Sequence, residues 1–179
     1  MLMALKSTIN KATIHLSDMD RHYYDTINLT LAQHPSETDI RLMTRVIAFI
    51  LNAQPDLSFG KGVSDESEAV IWQIDYSEQV GLWVELGQPD EKRIKKACNK
   101  AEKVHLYCYT SSNDVWFNQN KNKLAQYNNL TIYKFDYTVM QTLATWLSRT
   151  MEFQCSIQDG QLWLSDNERS LLIETEQLQ

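Results

Sequence analysis

Hydrophobic positions first recur with period two. In residues 5–16, Ala12, Ile14 and Leu16 fall on one side while Lys11, Thr13 and His15 fall on the other, the pattern of a half-buried strand. Ser17-Asp18-Met19-Asp20 supplies turn residues, and Ile27, Leu29 and Leu31 resume the alternation. Together these predict a β-hairpin or a paired meander with His22-Tyr23-Tyr24 at its mouth, where aromatics pair across strands.

The period then changes. Ser36 stands where an N-cap would, and Asp39 can reach back to it. Ile40, Met43, Val46, Ile47, Ile50 and Leu51 follow at helical spacing and form the expected buried stripe. Glu37, Arg41, Thr44, Arg45 and Ala48 fall off that stripe, which predicts a solvated face carrying an i,i+4 Glu37–Arg41 pair. Gln54-Pro55-Asp56 ends the helix, and a short extended piece (57–62) leads into the acidic loop Ser64-Asp65-Glu66-Ser67-Glu68.

Strand and helix signals alternate from there. Strands are expected over 69–75 and 80–86; in the second, neither face is polar throughout, as in a central strand covered on both sides. Pro89-Asp90-Glu91 opens a helix with Ile94, Ala97, Cys98 and Ala101 inside and Lys92, Arg93, Lys95, Lys96 and Lys100 outside. Strand 104–109 follows, then a helix from Ser112-Asn113-Asp114, strand 130–135, and a helix capped by Asp136. This order predicts an α/β fold with parallel strands joined by crossover helices. In the tail, Gln158-Asp159-Gly160 marks a tight turn between strands, and Leu171-Leu172-Ile173 adds another. That C-terminal hairpin is expected to join the N-terminal one in an additional, mostly antiparallel layer.

Composition adds bounds. The 179 residues suit one domain over 1–179. No apolar run approaches the roughly 20 residues of a membrane span, and residues 1–11 lack a secretory apolar region, so a cytoplasmic location without a membrane partner is expected. Three widely spaced cysteines, Cys98, Cys108 and Cys155, give neither a disulfide framework nor zinc spacing. A net charge of −6 means that any nucleic-acid contact must use a local basic patch. The cations after Pro89 are the one dense patch in the chain.

One residue sets folding preference against chemistry. Glu85 ends an otherwise apolar strand, just before the break at Gly87 and the basic helix. A carboxylate there is costly to bury unless something positive sits beside it.

Three strings carry a resemblance: His34-Pro35-Ser36-Glu37-Thr38, the run from Gly87-Gln88-Pro89-Asp90 through Cys98, and Ile157-Gln158-Asp159-Gly160. Along its whole length the chain resembles the bacterial YaeQ family. That resemblance implies the restriction-endonuclease-like fold of the PD-(D/E)XK nuclease superfamily, a mixed sheet flanked by helices. In that superfamily an Asp on one strand and a Glu on the next hold Mg²⁺, hard oxygens on a hard cation. A Lys two residues after the Glu orients or deprotonates the attacking water, and a Glu from the first helix often joins.

Carried onto this sequence, the pattern implies Glu85, Glu37 and Glu68 as Mg²⁺ or water ligands. Gln88 would position water, Lys92 or Lys96 would supply the catalytic charge, and Arg41 and Arg93 would contact substrate. Two positions depart from the pattern: Val70 stands at the Asp position and Gly87 at the Lys position. The expectation is therefore a Mg²⁺-dependent phosphodiesterase or nuclease acting on nucleic acid. Its alternative is a catalytically degenerate nuclease fold that binds a protein or nucleic-acid partner.

Overall fold

The computed structural model describes residues 6–62 and 65–179. Leu5, where the first strand was expected to begin, and Ser64, which opens the acidic loop, lie outside them. The chain divides into two compact units, the described part of Met1–Met43 with Thr138–Glu174, and Thr44–Tyr137 with Thr175–Gln179.

In the first unit, β1 (Thr8–Asp18) and β2 (Tyr23–Gln33) form the expected hairpin, antiparallel over all eleven positions. Ser17 and Asp18 belong to β1 rather than to the turn. Asp18 is 2% exposed because its carboxylate accepts from the Asp20 and Arg21 backbone N–H groups and from Arg21 Nε. β8 (Thr150–Gln158), β9 (Gln161–Ser165) and Ser170–Glu174 of β10 (Ser170–Gln177) follow as an antiparallel meander. Asp159 and Gly160 make its tight turn with positive φ of 52° and 74°.

The two hairpins meet through β1 and β8, which run parallel. The layer is therefore mostly antiparallel, as expected, with one parallel junction that the alternation did not mark. Parallel neighbours need a long connection, and here Thr44–Tyr137 of the second unit intervenes in sequence. One sheet face buries Ile14, Leu16, Leu31, Phe153, Cys155 and Leu164, as period two requires. α4 (Tyr137–Ala144) contributes Met140 and Leu143 to the buried set.

The first helix, α1 (Asp39–Leu51), begins later than expected. Thr38, not Ser36, caps it, its hydroxyl accepting from the Arg41 N–H at 3.2 Å. Ser36 instead engages His34 Nδ1, which accepts the Ser36 backbone N–H at 3.0 Å and lies 2.6 Å from its hydroxyl. The expected solvated face is a second correction: Thr44, Arg45 and Ala48 are as buried as the apolar stripe. The Arg45 guanidinium lies 5.2 Å over the Phe59 ring, so its charge faces a π-surface inside the fold.

The second unit holds β3 (Leu57–Phe59), β4 (Ile71–Ile74), β5 (Val80–Leu86), β6 (Ala101–Cys108) and β7 (Leu130–Phe135). β3, β4 and β5 pair antiparallel, whereas β5, β6 and β7 pair parallel as the crossover helices predict. Thr175–Gln177 pairs antiparallel with β7. α2 (Glu91–Lys100) and α3 (Asn113–Leu124) cover one face, where Trp83, Ile94, Ala97, Val104, Leu106, Cys108, Leu124 and Ile132 close a single apolar cluster. The fold is thus mixed α/β, with parallel and antiparallel pairing in its sheets and helices flanking them. Among the described residues no helix is long and apolar enough to cross a membrane.

Candidate functional site

Glu85 sits on β5 with its side chain on the α2-covered face. Strand alternation puts Trp83 on the same face, and the Trp83 indole N–H donates to Glu85 Oε1 at 2.8 Å. The other donors come from α2. Asp90 caps that helix by accepting the Arg93 N–H at 2.8 Å, which places the Arg93 side chain one turn in, over the strand. Arg93 Nε donates to Glu85 Oε2 at 2.8 Å, and Nη2 to Oε1 at 2.7 Å. The result is a two-pronged guanidinium–carboxylate pair whose acid is 3% exposed.

Burial alone would pull the Arg93 guanidinium below its usual value, but the hydrogen bonds and charge of Glu85 raise it above. Arg93 also ties down the preceding loop, donating from Nη1 to the Glu66 carbonyl at 3.1 Å and from Nη2 to the Glu68 carbonyl at 3.0 Å. Lys96 Nζ reaches the same Glu66 carbonyl at 3.0 Å. Two cations of α2 thus bind the 66–68 segment through its backbone and leave its carboxylates to other partners.

The remaining expected site residues fall into separate settings. Glu68 turns to Lys61, accepting its backbone N–H at 2.7 Å with its ammonium at 3.5 Å. Glu37 precedes α1 in the first unit, is buried, and pairs with Arg41 as the spacing predicted. Gln88 is exposed, and its amide donates to the hydroxyls of Thr110 and Ser112 at 2.8 and 2.9 Å, away from Glu85. Lys92 projects from the outer face of α2. Among the described residues, no group of three or more His, Cys, Asp or Glu side chains is placed to hold a metal ion. As arranged, Glu85 and Glu68 do not fit a shared Mg²⁺, because their oxygens already serve cationic and N–H donors.

Gly87 stands where the resemblance implied a lysine. Its φ of +86° is a left-handed conformation that a lysine adopts only with strain. Its N–H donates to the Tyr107 carbonyl at 2.9 Å, which fixes the bend where β5 leaves the sheet.

The outer face of α2 carries the charge. Lys92, Lys95, Lys96, Asn99 and Lys100, with Glu66 and Asp90, line an open cavity of about 750 Å³.

Sequence reasoning passed over a second polar cluster in this unit. The Asn52 side-chain amide donates to the Ala48 carbonyl at 2.7 Å and to the Tyr107 hydroxyl at 2.9 Å. That orientation leaves Asn52 Oδ1 to accept from His105 Nδ1 at 2.8 Å. Burial, and secondarily the Lys103 charge, push the His105 imidazole down to about 4. Tyr107 stacks between Tyr133 and Phe135, with ring centroids at 5.2 and 5.5 Å. The only trace of this in the sequence is His105 and Tyr107 two apart on one strand. The thiols are core groups: burial raises Cys108 and Cys155 to about 12.

The chain is similar to known proteins along nearly its whole length. A family model described as YaeQ protein matches residues 3–175. The chain is 43% identical over 173 residues to an uncharacterized YaeQ protein from Salmonella typhi, covering 96% of each. It is 42% identical over 170 residues to that of Escherichia coli (strain K12), covering 94% of each. Among solved structures it is similar to the YaeQ protein from Xanthomonas axonopodis pv. citri (TM-score 0.93, 38% identity, 97% of this chain and 98% of that one). It is also similar to the YaeQ protein from Pseudomonas syringae (TM-score 0.92, 29% identity, 97% of this chain and 96% of that one).

Proposed function

The chain belongs to the YaeQ family, and from that premise we propose that it is a nuclease-type fold whose strand carboxylate has become structural, and that it holds a nucleic-acid backbone along the basic face of α2. The observation that carries this reading is the Glu85–Arg93 pair. A Mg²⁺ ion at Glu85 would have to displace both prongs of the guanidinium and the Trp83 indole. Removing one partner of a buried pair costs about 3–5 kcal/mol.

A restriction-endonuclease-like arrangement is supported by the register of β4 and β5. Ile71 is the partner of Val84, so extending that register by one residue would set Val70, just before β4, opposite Glu85, the two positions where the superfamily pattern has acids. The first acid is missing and the second is neutralised. What is left of the expected chemistry is the cationic rim.

Among the described residues, Lys92, Lys95 and Lys100 project from α2 outside its ion pairs, and a single-stranded or duplex backbone neutralising about three charges there would lose affinity with salt at a log–log slope of roughly −2 to −3. Fluorescence anisotropy with labelled single-stranded and duplex DNA and RNA tests this. Salt-dependent binding that persists in EDTA and weakens at least fivefold in a Lys92→Glu/Lys95→Glu variant is the expected result. EDTA-sensitive cleavage that disappears in Glu85→Gln would instead establish a Mg²⁺-dependent phosphodiesterase. The absence of salt-dependent binding to any of the four nucleic acids would remove the polynucleotide part of the reading.

A further inference from the structure

The sheet of the first unit runs β2-β1-β8-β9-β10, so β2 is an edge strand. An edge presents unpaired N–H and C=O groups, and proteins that stay monomeric usually blunt it with short strands, Lys, Pro or bulges. The edge strand β3 of the second unit follows that rule: it is three residues long, with Pro55 before it and Gly60 after it. β2 does not. It is eleven residues long, contains no Lys, Arg, Pro or Gly, and keeps register with β1 without a shift, unlike β4 with β5.

The outward groups can be identified. The Thr26 N–H is taken by its neighbour, Asp25 Oδ1, at 2.8 Å, which places it on the open side of the strand. In an antiparallel strand the N–H and C=O of one residue point the same way, and alternate residues share that side. Tyr24, Thr26, Asn28 and Thr30 therefore present their backbone groups outward, with their side chains on the solvent face of the sheet.

We propose that β2 is the contact of a symmetric dimer, in which a second copy of this chain pairs antiparallel with it about a two-fold axis at Asn28, forming one sheet across both molecules. A symmetric contact must be self-complementary, and this register is. Thr26 falls opposite Thr30, Asn28 opposite its own copy and Ile27 opposite Leu29, and no like charges meet. Threonine pairs across strands are among the stabilising ones. The axis also brings outward-facing residues opposite outward-facing residues, so that the two Thr26–Thr30 pairs and the Asn28 pair close about six backbone hydrogen bonds at once. Asp25, which serves Thr26 in the single chain, is released to solvent as the partner carbonyl takes over.

Sedimentation equilibrium on the full chain tests this, together with amide hydrogen exchange at low and high protein concentration. The expected results are a species of twice the 20.9 kDa chain mass at high concentration and exchange at Thr26, Asn28 and Thr30 that slows as concentration rises. Thr30→Pro removes an outward N–H, which an edge strand tolerates, and Asn28→Lys sets like charges against each other at the axis. Each should raise the dimer dissociation constant at least tenfold while the monomer stays folded by circular dichroism. A monomer at every concentration overturns the proposal. So does a dimer that both folded variants leave intact, or one that leaves those three amides unprotected. The exchange measurement needs no substitution, so misfolding of either variant does not leave the proposal undecided.

Discussion

Arg93 reaches back from the first turn of α2 to hold both oxygens of Glu85, at 2.8 and 2.7 Å, eight residues earlier in the chain. The pair is asymmetric in what it tolerates. Arg93→Ala leaves a buried carboxylate with only the Trp83 indole and should cost about 3–5 kcal/mol. Replacing both residues with apolar groups of similar size, as in Glu85→Leu/Arg93→Met, should cost less than Arg93→Ala alone. Urea denaturation of the single and double variants checks this. A double variant less stable than Arg93→Ala would mean that Glu85 does more than neutralise Arg93, since it also accepts the Trp83 indole N–H.

Asp20 holds the distant hairpin turn shut. Its two carboxylate oxygens each accept one backbone N–H, from Asp159 and Gly160, at 2.8 Å. Both turn residues have positive φ, so their N–H groups converge on one point and suit an anion. Asp20→Ala should destabilise the protein by about 1–2 kcal/mol and speed amide exchange at those two positions. Asp20→Asn, which keeps one acceptor, should fall in between. Unchanged exchange in Asp20→Ala would show that the turn residues alone hold the conformation.

The elements that sequence made visible are those whose burial follows one regular period. β1, β2 and the β5–β7 region with its helices lie where period two and period 3.6 put them, and Glu85 was conspicuous because it broke the apolar run. What stayed hidden depends on partners far apart in sequence. Nothing in the spacing of Glu85 and Arg93 marks a pair, because eight residues spanning a bend and a helix start follow neither strand nor helix periodicity. Thr44, Arg45 and Ala48 read as surface because a stripe assumes one covered side, whereas α1 is buried on both. Asn52 and His105 are separated by half of the second unit, and only folding brings them to 2.8 Å. The parallel β1–β8 junction was hidden for the same reason, since alternation fixes which face is buried but not which way a neighbour runs.

Gly87 lets the superfamily pattern be tested by restoration. Gly87→Lys would put a lysine where the proposed nuclease-type pattern has one, but at a φ of +86°, which costs a non-glycine residue on the order of 1–2 kcal/mol. A Cβ there would meet the Tyr109 ring at 3.6 Å, an ordinary contact, so the penalty is conformational rather than steric. The expectation is a lower urea midpoint, a similar loss in Gly87→Ala, and no Mg²⁺-dependent cleavage. Loss in the lysine variant but not in the alanine variant would point to charge rather than backbone.

His105 gives the fold a pH dependence of defined sign. Burial holds the native imidazole at about 4, below the usual 6.5 or so of the unfolded chain, so the unfolded state binds more protons between these values. Stability is then fully present above about pH 6.5 and declines as pH falls towards 4, by on the order of 2–3 kcal/mol. His105→Phe deprives Asn52 Oδ1 of its donor and should lose about 1–2 kcal/mol at neutral pH. It should also flatten the slope between pH 6.5 and 4, because the group that titrates is gone. Urea midpoints measured at half-unit intervals across that window separate the two effects. Parallel pH profiles for the two proteins would show that the acid sensitivity arises elsewhere and that the Asn52–His105–Tyr107 cluster is indifferent to protonation.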